Sequence, residues 1–125
     1  MQLESTVSVV IPTQNRSDFL IKAVDSVLNQ TYKKIEIVII NDYSSDNTKT
    51  VINKITKKHP SIVKSYSFRS SVGASRARQK GIEMSSGEYI ALLDDDDEWL
   101  PEKLSIQVNA IKNINITVAI LTTLF

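Results

Sequence analysis

The sequence contains no cysteine in its 125 residues. That absence excludes a disulfide-stapled fold, a cysteine-ligated zinc site and a cysteine nucleophile. Three glycines and three prolines are too few for a collagen-like repeat or a Gly/Pro-rich disordered chain. No apolar run approaches the roughly 18–20 residues that a membrane-crossing helix needs. The opening residues, Met1-Gln2-Leu3-Glu4-Ser5-Thr6, lack a basic n-region and a long apolar h-region, so no signal peptide is expected. Asn15-Arg16-Ser17, Asn29-Gln30-Thr31 and Asn115-Ile116-Thr117 match the N-glycosylation pattern, and without a secretory signal they read as chance matches. An excess of charge of one sign is missing as well. Fifteen Lys+Arg against fourteen Asp+Glu leave a net +1, which predicts no nucleic-acid partner and no acidic disordered tail. A cytoplasmic, reducing location is the expectation.

What is present describes one ordinary soluble domain. Its length falls in the common range of about 100–150 residues for a single domain. The near-neutral total conceals a local imbalance: Asp94-Asp95-Asp96-Asp97-Glu98 places five of the fourteen acids in consecutive positions. The part before it is basic by comparison, with Lys33, Lys34, Lys49, Lys54, Lys57, Lys58, Lys64, Arg69, Arg76, Arg78 and Lys80.

Short β-branched runs alternate with helix-period segments along the chain. Val7-Ser8-Val9-Val10-Ile11, stopped by Pro12, predicts a strand. Phe19, Leu20, Ala23, Val24, Val27 and Leu28 are spaced as one face of a helix, with Ser17 as its expected N-cap. Ile35-Glu36-Ile37-Val38-Ile39-Ile40 predicts a second strand, apolar enough to be buried on both faces. A helix over 48–58, capped by Ser45 or Asp46, a strand over 62–68 and a helix over 73–84, closed by Ser86-Gly87, follow. Tyr89-Ile90-Ala91-Leu92-Leu93 is a fourth strand running into the acidic cluster. Pro101 is expected to open a helix carrying Leu104, Val108 and Ile111, and 116–124 reads as a fifth strand. This alternation predicts an α/β fold of three layers, α/β/α, around a mostly parallel sheet. Such sheets bind ligands beyond the carboxyl ends of their strands. The segments there are Pro12-Thr13-Gln14-Asn15-Arg16, Asn41-Asp42-Tyr43-Ser44-Ser45-Asp46 and Asp94-Asp95-Asp96-Asp97.

Crowded carboxylates repel one another, and either raise their pKa values or require a cation. Hard divalent ions such as Mg2+, Mn2+ and Ca2+ prefer oxygen ligands. Asp94 and Asp96, two apart on one side of an extended segment, form the natural pair. An EF-hand loop starting at Asp94 would need glycine where Trp99 stands. Neither a G-x-x-x-x-G-K-[ST] loop nor a G-x-G-x-x-G fingerprint occurs. A non-catalytic nucleotide-binding or receiver-like regulatory α/β domain is the alternative reading of this fold class. A receiver would need an acidic pair after the first strand, where Pro12-Thr13-Gln14 stands, and a dehalogenase-type phosphatase would need its aspartates there too. A nucleotidyltransferase would need a glycine-rich phosphate loop at the same place.

Four stretches together resemble the nucleotide-sugar-binding portion of inverting family 2 glycosyltransferases, which have the GT-A fold. They are the segment from Val7 to Arg16, the segment from Glu36 to Asp46, Gly73-Ala74-Ser75-Arg76-Ala77-Arg78-Gln79-Lys80-Gly81, and Gly87-Glu88-Tyr89-Ile90-Ala91-Leu92-Leu93-Asp94-Asp95-Asp96-Asp97, followed by Trp99, Leu100, Pro101, Glu102 and Lys103. The resemblance covers residues 6–112. It implies that Pro12, Thr13 and Gln14 line the nucleotide base pocket and that Asp42 accepts a hydrogen bond from the base. Arg78 would meet base or phosphate. Asp94 and Asp96 match the outer positions of the DxD motif: Asp94 near ribose and metal, Asp96 as the direct ligand of Mn2+ or Mg2+, with Asp95 on the donor side. Such an ion would stabilise the charge developing on a diphosphate leaving group. The implied activity transfers a sugar from a nucleotide-diphosphate donor, UDP-linked, to the hydroxyl of a saccharide or lipid-linked acceptor in polysaccharide biosynthesis.

Three positions depart from the family pattern: Gln14 where an aromatic is frequent, Asn41 where a second aspartate is common, and Gln79 in place of asparagine. The family's general base lies well beyond the DxD segment, and here it is expected beyond Phe125. Residues 1–125 are therefore expected to form the donor-binding portion of a longer enzyme, without the acceptor-binding half, cytoplasmic or at the inner face of the membrane. His59, the sole histidine, sits at a helix end before Pro60 and reads as a partner of the helix dipole. Arg76 and Arg78 diverge by about 200° on a helix, so one faces the ligand and the other solvent. Trp99 reads as a packing residue.

Overall fold

The computed structural model describes residues 5–113 and 119–121, the latter as backbone. Strand β1 (Val7–Thr13) is followed by α1 (Ser17–Leu28), β2 (Ile35–Asn41), α2 (Thr48–Lys58), β3 (Val63–Ser67), α3 (Ala74–Met84), β4 (Tyr89–Leu92), α4 (Lys103–Asn113) and β5 (Ala119–Leu121). The sheet order is β3-β2-β1-β4-β5, and every pairing is parallel. β1 is the central strand, and six of its seven residues are buried. Its β-branched residues fill both sides of the sheet, as a central parallel strand requires.

Alternation along the strands sorts the core into two layers. Val9, Ile11, Ile37, Ile39, Ala91 and Leu93 pack with Leu20, Val24 and Val27 of α1, Ile52 of α2 and Leu104, Val108 and Ile111 of α4. On the opposite face Val10, Val38 and Ile40 pack with Ala77 of α3, flanked by Phe68, Met84, Ile90 and Leu92. The expected three-layer α/β/α arrangement is thus present. Trp99 joins the larger layer at 7% exposure, with the Lys103 ammonium 5.4 Å from its ring. It packs, as expected.

Several helix ends differ from expectation. Ser17 is the first residue of α1 and does not cap it; its hydroxyl donates to Asn47 Oδ1 at 2.8 Å, so a tertiary partner outcompetes the local cap. Asn47 takes the cap position of α2, while Asp46 Oδ1 accepts from the Thr48 N–H at 2.9 Å. α3 starts one residue later than expected, because Gly73 precedes it in a left-handed conformation, φ 91°, which an L side chain adopts at a cost. It closes at Ser85, ahead of Ser86-Gly87. Pro101 lies in a turn before α4. The expected fifth strand is found at Ala119–Leu121. Its remaining expected positions lie outside the described residues, as does Phe125, beyond which the general base is expected.

Strand order decides one alternative. A receiver-like sheet has the order 2-1-3-4-5 and seats its first strand beside the third. Here β1 pairs with β2 and β4, so the receiver-like reading is not supported. The reversal of strand order beside β1 opens a crevice between the ends of β1 and β4, where open α/β sheets take ligands.

Candidate active site

One cleft of about 410 Å³ lies at that crevice, and Pro12, Thr13, Gln14, Asp42, Arg78, Asp94, Asp95 and Asp96 all line it. The structure therefore brings every sequence-predicted donor and metal residue to one place. They arrive from four elements: Pro12 and Thr13 end β1, Asp42 follows β2, Arg78 lies on α3, and the aspartates follow β4. Arg16, Ser71, Gly73, Ala74 and Ala77 complete the lining.

The acidic segment is a turn and not the extended stretch expected. The Asp97 N–H donates to the Asp94 carbonyl at 3.0 Å. This turn splits the carboxylates into two sets. Asp95 points inward at 7% exposure and accepts from Thr13 Oγ1 at 2.8 Å, which ties the end of β4 to the end of β1. Burial pushes the Asp95 carboxyl above its usual range; the Thr13 hydroxyl and the Arg16 guanidinium pull the other way, and Asp96 and Asp94 add to the rise. Asp94, Asp96 and Asp97 face solvent, and each offers one oxygen within 4.8 Å of the others. That oxygen-only set fits a hard divalent ion such as Mg2+ or Mn2+. Asp97 thereby joins the expected pair of Asp94 and Asp96.

Two arginines answer the acidic charge. Arg78 Nη2 stands 3.1 Å from Asp94 Oδ1. Arg16 Nη1 stands 3.4 Å from Asp95 Oδ1 and 3.3 Å from Asp96 Oδ2. Arg76 faces away from Asp94, as the helical divergence predicts: it pairs with Glu83 at 3.6 Å and lies over the Phe68 ring. Sequence reasoning included Arg16 in the ligand-edge segment but assigned it no role, since its partners meet it only through the β1–β4 pairing.

Asp42 is 6% exposed and organises the loop before α3. Its carboxylate accepts from the Val72 N–H at 2.7 Å, the Gly73 N–H at 3.0 Å and Ser71 Oγ at 3.4 Å. The Gln14 amide donates to the carbonyls of Asp42 at 2.7 Å and Tyr43 at 3.2 Å, and to Ser71 Oγ at 3.2 Å. It joins the three segments that form one wall, and Tyr43 beside it holds a left-handed φ of 54°. Asn41 accepts from Ser44 Oγ at 2.6 Å and donates to Ser67 Oγ at 3.4 Å; an ionised aspartate can only accept, so the amide suits this position. Gln79 is exposed. His59 is the C-cap of α2 and lines a separate groove between α1 and α2.

The model of glycosyl transferase family 2 matches residues 8–124. The chain belongs to glycosyltransferase family 2. A UDP-Glc:alpha-D-GlcNAc-diphosphoundecaprenol beta-1,3-glucosyltransferase, WfaP, of Escherichia coli is 40% identical over 103 residues, which is 82% of this chain and 40% of that protein. Among solved structures, S. aureus TarS 1-349 in complex with UDP superposes with a TM-score of 0.78 at 24% identity, over 86% of this chain and 32% of that one. The mannosyltransferase PcManGT of Pyrobaculum calidifontis, in complex with GDP-Man and Mn2+, superposes with a TM-score of 0.77 at 23% identity, over 91% of this chain and 33% of that one. These likenesses establish the GT-A type of fold for the family 2 chain. It spans between 16% and 40% of the length of the curated relatives it matches.

Proposed function

We propose that residues 1–125 form the nucleotide-sugar-binding portion of a metal-dependent inverting glycosyltransferase. The donor is a nucleotide-diphosphate sugar, UDP-linked, and the acceptor is a hydroxyl of a saccharide or lipid-linked saccharide. One observation carries this reading: the ends of β1, β2 and β4 and one face of α3 converge on a single cleft lined by Asp94 and Asp96, whose carboxylates lie with that of Asp97 within 4.8 Å of one another. Base and ribose would lie along Pro12, Thr13, Gln14 and Asp42, and Arg78 would face the phosphates. Asp94 and Asp96, with Asp97 beside them, would hold Mn2+ or Mg2+. When bound, the ion supplies positive charge against the diphosphate leaving group.

The protein's own residues do the positioning. Asp42 and Gln14 hold the loop before α3, Thr13 and Asp95 hold the acidic turn against β1, and Arg78 projects from the helix that forms the far wall. None of these carboxylates is assigned as the general base; that role would fall to the acceptor-binding half of such an enzyme. UDP in the TarS complex, Mn2+ beside GDP-Man in the PcManGT complex, and UDP-Glc and a diphosphoundecaprenol-linked acceptor in the name of WfaP support the choice of donor, ion and acceptor. A lipid-linked acceptor would bring the enzyme to the cytoplasmic face of a membrane; no helix among the described residues is long and apolar enough to cross one. The test is a thermal-shift panel of nucleoside diphosphates with and without Mn2+. At a ligand concentration 100 times Kd the stabilisation is about 2.7 kcal/mol, or roughly 10 °C for a domain of this size. UDP with Mn2+ is expected to give the largest rise, and no rise with any nucleotide would refute the reading.

A further inference from the structure

Arg16 is the residue on which the acidic turn closes. Its Nη1 contacts both Asp95 and Asp96, and its side chain is 51% exposed at the rim of the cleft. Arg78 engages Asp94 at 3.1 Å. The two carboxylates that match the DxD pattern are thus each held by a guanidinium, one from the loop after β1 and one from α3. A divalent ion that takes the Asp96 oxygen must displace Arg16 or sit beside its positive charge. The Arg16–Asp96 pair is half-exposed on both sides, and ion pairs of that kind are weak. The obstacle to the cation is therefore small and reversible. A diphosphate in the cleft changes the balance, because it offers the displaced guanidinium phosphate oxygens, which arginine binds strongly.

We propose that Arg16 couples cation uptake at the acidic turn to nucleoside diphosphate uptake in the cleft: it holds Asp96 against a lone cation and transfers to a phosphate when nucleotide and cation arrive together. The coupling rests on the nucleotide-site reading above and is reciprocal, so UDP tightens Mn2+ binding by the factor by which Mn2+ tightens UDP binding. Arg78 is anchored in a helix wall, whereas Arg16 sits in the cap position of α1, outside the helix, and bridges two neighbouring carboxylates through one nitrogen.

The test is Mn2+ binding to the full chain, read from the electron paramagnetic resonance signal of the free ion, with and without UDP. Wild type is compared with Arg16→Gln and Arg16→Lys. Arg16→Gln is expected to bind Mn2+ alone about two- to five-fold tighter, and the factor by which UDP tightens Mn2+ binding shrinks at least as much. Arg16→Lys, which keeps the charge, falls between the two. In an Asp96→Asn background the gain from Arg16→Gln on Mn2+ alone disappears. An Arg16→Gln protein that binds Mn2+ alone no tighter than wild type overturns the proposal, and so does a gain that persists undiminished in Asp96→Asn. If none of the proteins binds UDP under any condition, the nucleotide-site reading falls and the coupling with it. A normal UDP affinity with unchanged coupling in Arg16→Gln overturns the role of Arg16 alone.

Discussion

Replacing Gly81 with alanine sets two opposed effects against each other, and the structure decides between them. In a solvent-exposed helix the change would stabilise by about 1 kcal/mol through helix propensity. Gly81 is buried on the face of α3 that meets β1. An added Cβ would run into Val10 Cγ1 and come within 3.2 Å of Val10 Cγ2 and 3.3 Å of Ile40 Cγ1. Val10 and Ile40 are 0% exposed, and a β-branched side chain has few rotamers into which to retreat. Relief must come from lifting α3 off the sheet. Overpacking costs about 1–3 kcal/mol, and so severe an overlap with a fully buried side chain belongs in the upper part of that range, about 2–3 kcal/mol. The propensity gain offsets part of that, which leaves a net loss of about 1–2 kcal/mol, or roughly 4–8 °C in Tm. Arg78 and Ala77 ride on the same helix and line the cleft, so nucleotide affinity should fall with the stability. Urea unfolding and UDP titration of Gly81→Ala measure both. Val10→Ala in the same chain should recover part of the loss, giving a double mutant less destabilised than the sum of its parts. A Gly81→Ala protein as stable as wild type, with unchanged UDP affinity, would refute the claim that this close approach holds the cleft wall.

Two further predictions concern charged groups that brace the same framework. Burial alone would raise the pKa of Glu36, but the Lys64 ammonium at 2.8 Å, Ser8 Oγ at 2.6 Å and the N–H and hydroxyl of Ser86 at 2.9 Å bring it from 4.5 to about 2. Its folded value lies below its unfolded one, so its stabilisation is complete above about pH 4.5 and is lost as pH falls towards 2. Glu36→Gln should be less stable than wild type at pH 7 by about 1–2 kcal/mol, and the gap should close across that acid window in pH-dependent denaturation. For Asp42→Asn, an amide replaces one oxygen facing the Val72 and Gly73 N–H groups, so about 1–2 kcal/mol of stability should go. Faster amide exchange at residues 71–73 would show that the loop, and not only a ligand contact, depends on the carboxylate.

Much of the architecture was legible because period-2 and period-3.6 apolar patterns alternate cleanly, and parallel α/β sheets place ligands at one edge. That edge rule picked out Thr13, Asp42 and Asp94 before any contact was known. What escaped the sequence depends on strand order. Nothing local says that β4 lies beside β1, so the Thr13–Asp95 bond and the Arg16 pairs were invisible. A run of four aspartates carries no periodicity, so the turn that sends Asp95 inward and gathers Asp94, Asp96 and Asp97 could not be read from it. Ser17 looked like a helix cap because capping is a local pattern, whereas its partner Asn47 comes from the loop before α2. Asn41 and Gln14 looked like departures from a family pattern; in the fold the Gln14 amide connects the segments of the cleft wall, and the Asn41 amide ties the end of β2 to Ser44 and to Ser67 of β3.

The proposed function requires the acidic turn and the cleft beside it to bind a nucleoside diphosphate through a divalent ion. Calorimetric titration of UDP into the chain tests it most directly, once with Mn2+ and once with excess EDTA, for wild type and for Asp96→Ala. Saturable binding that requires Mn2+ and falls at least ten-fold in Asp96→Ala is the predicted result. Binding of equal strength in EDTA, or an unaltered affinity in Asp96→Ala, would contradict it.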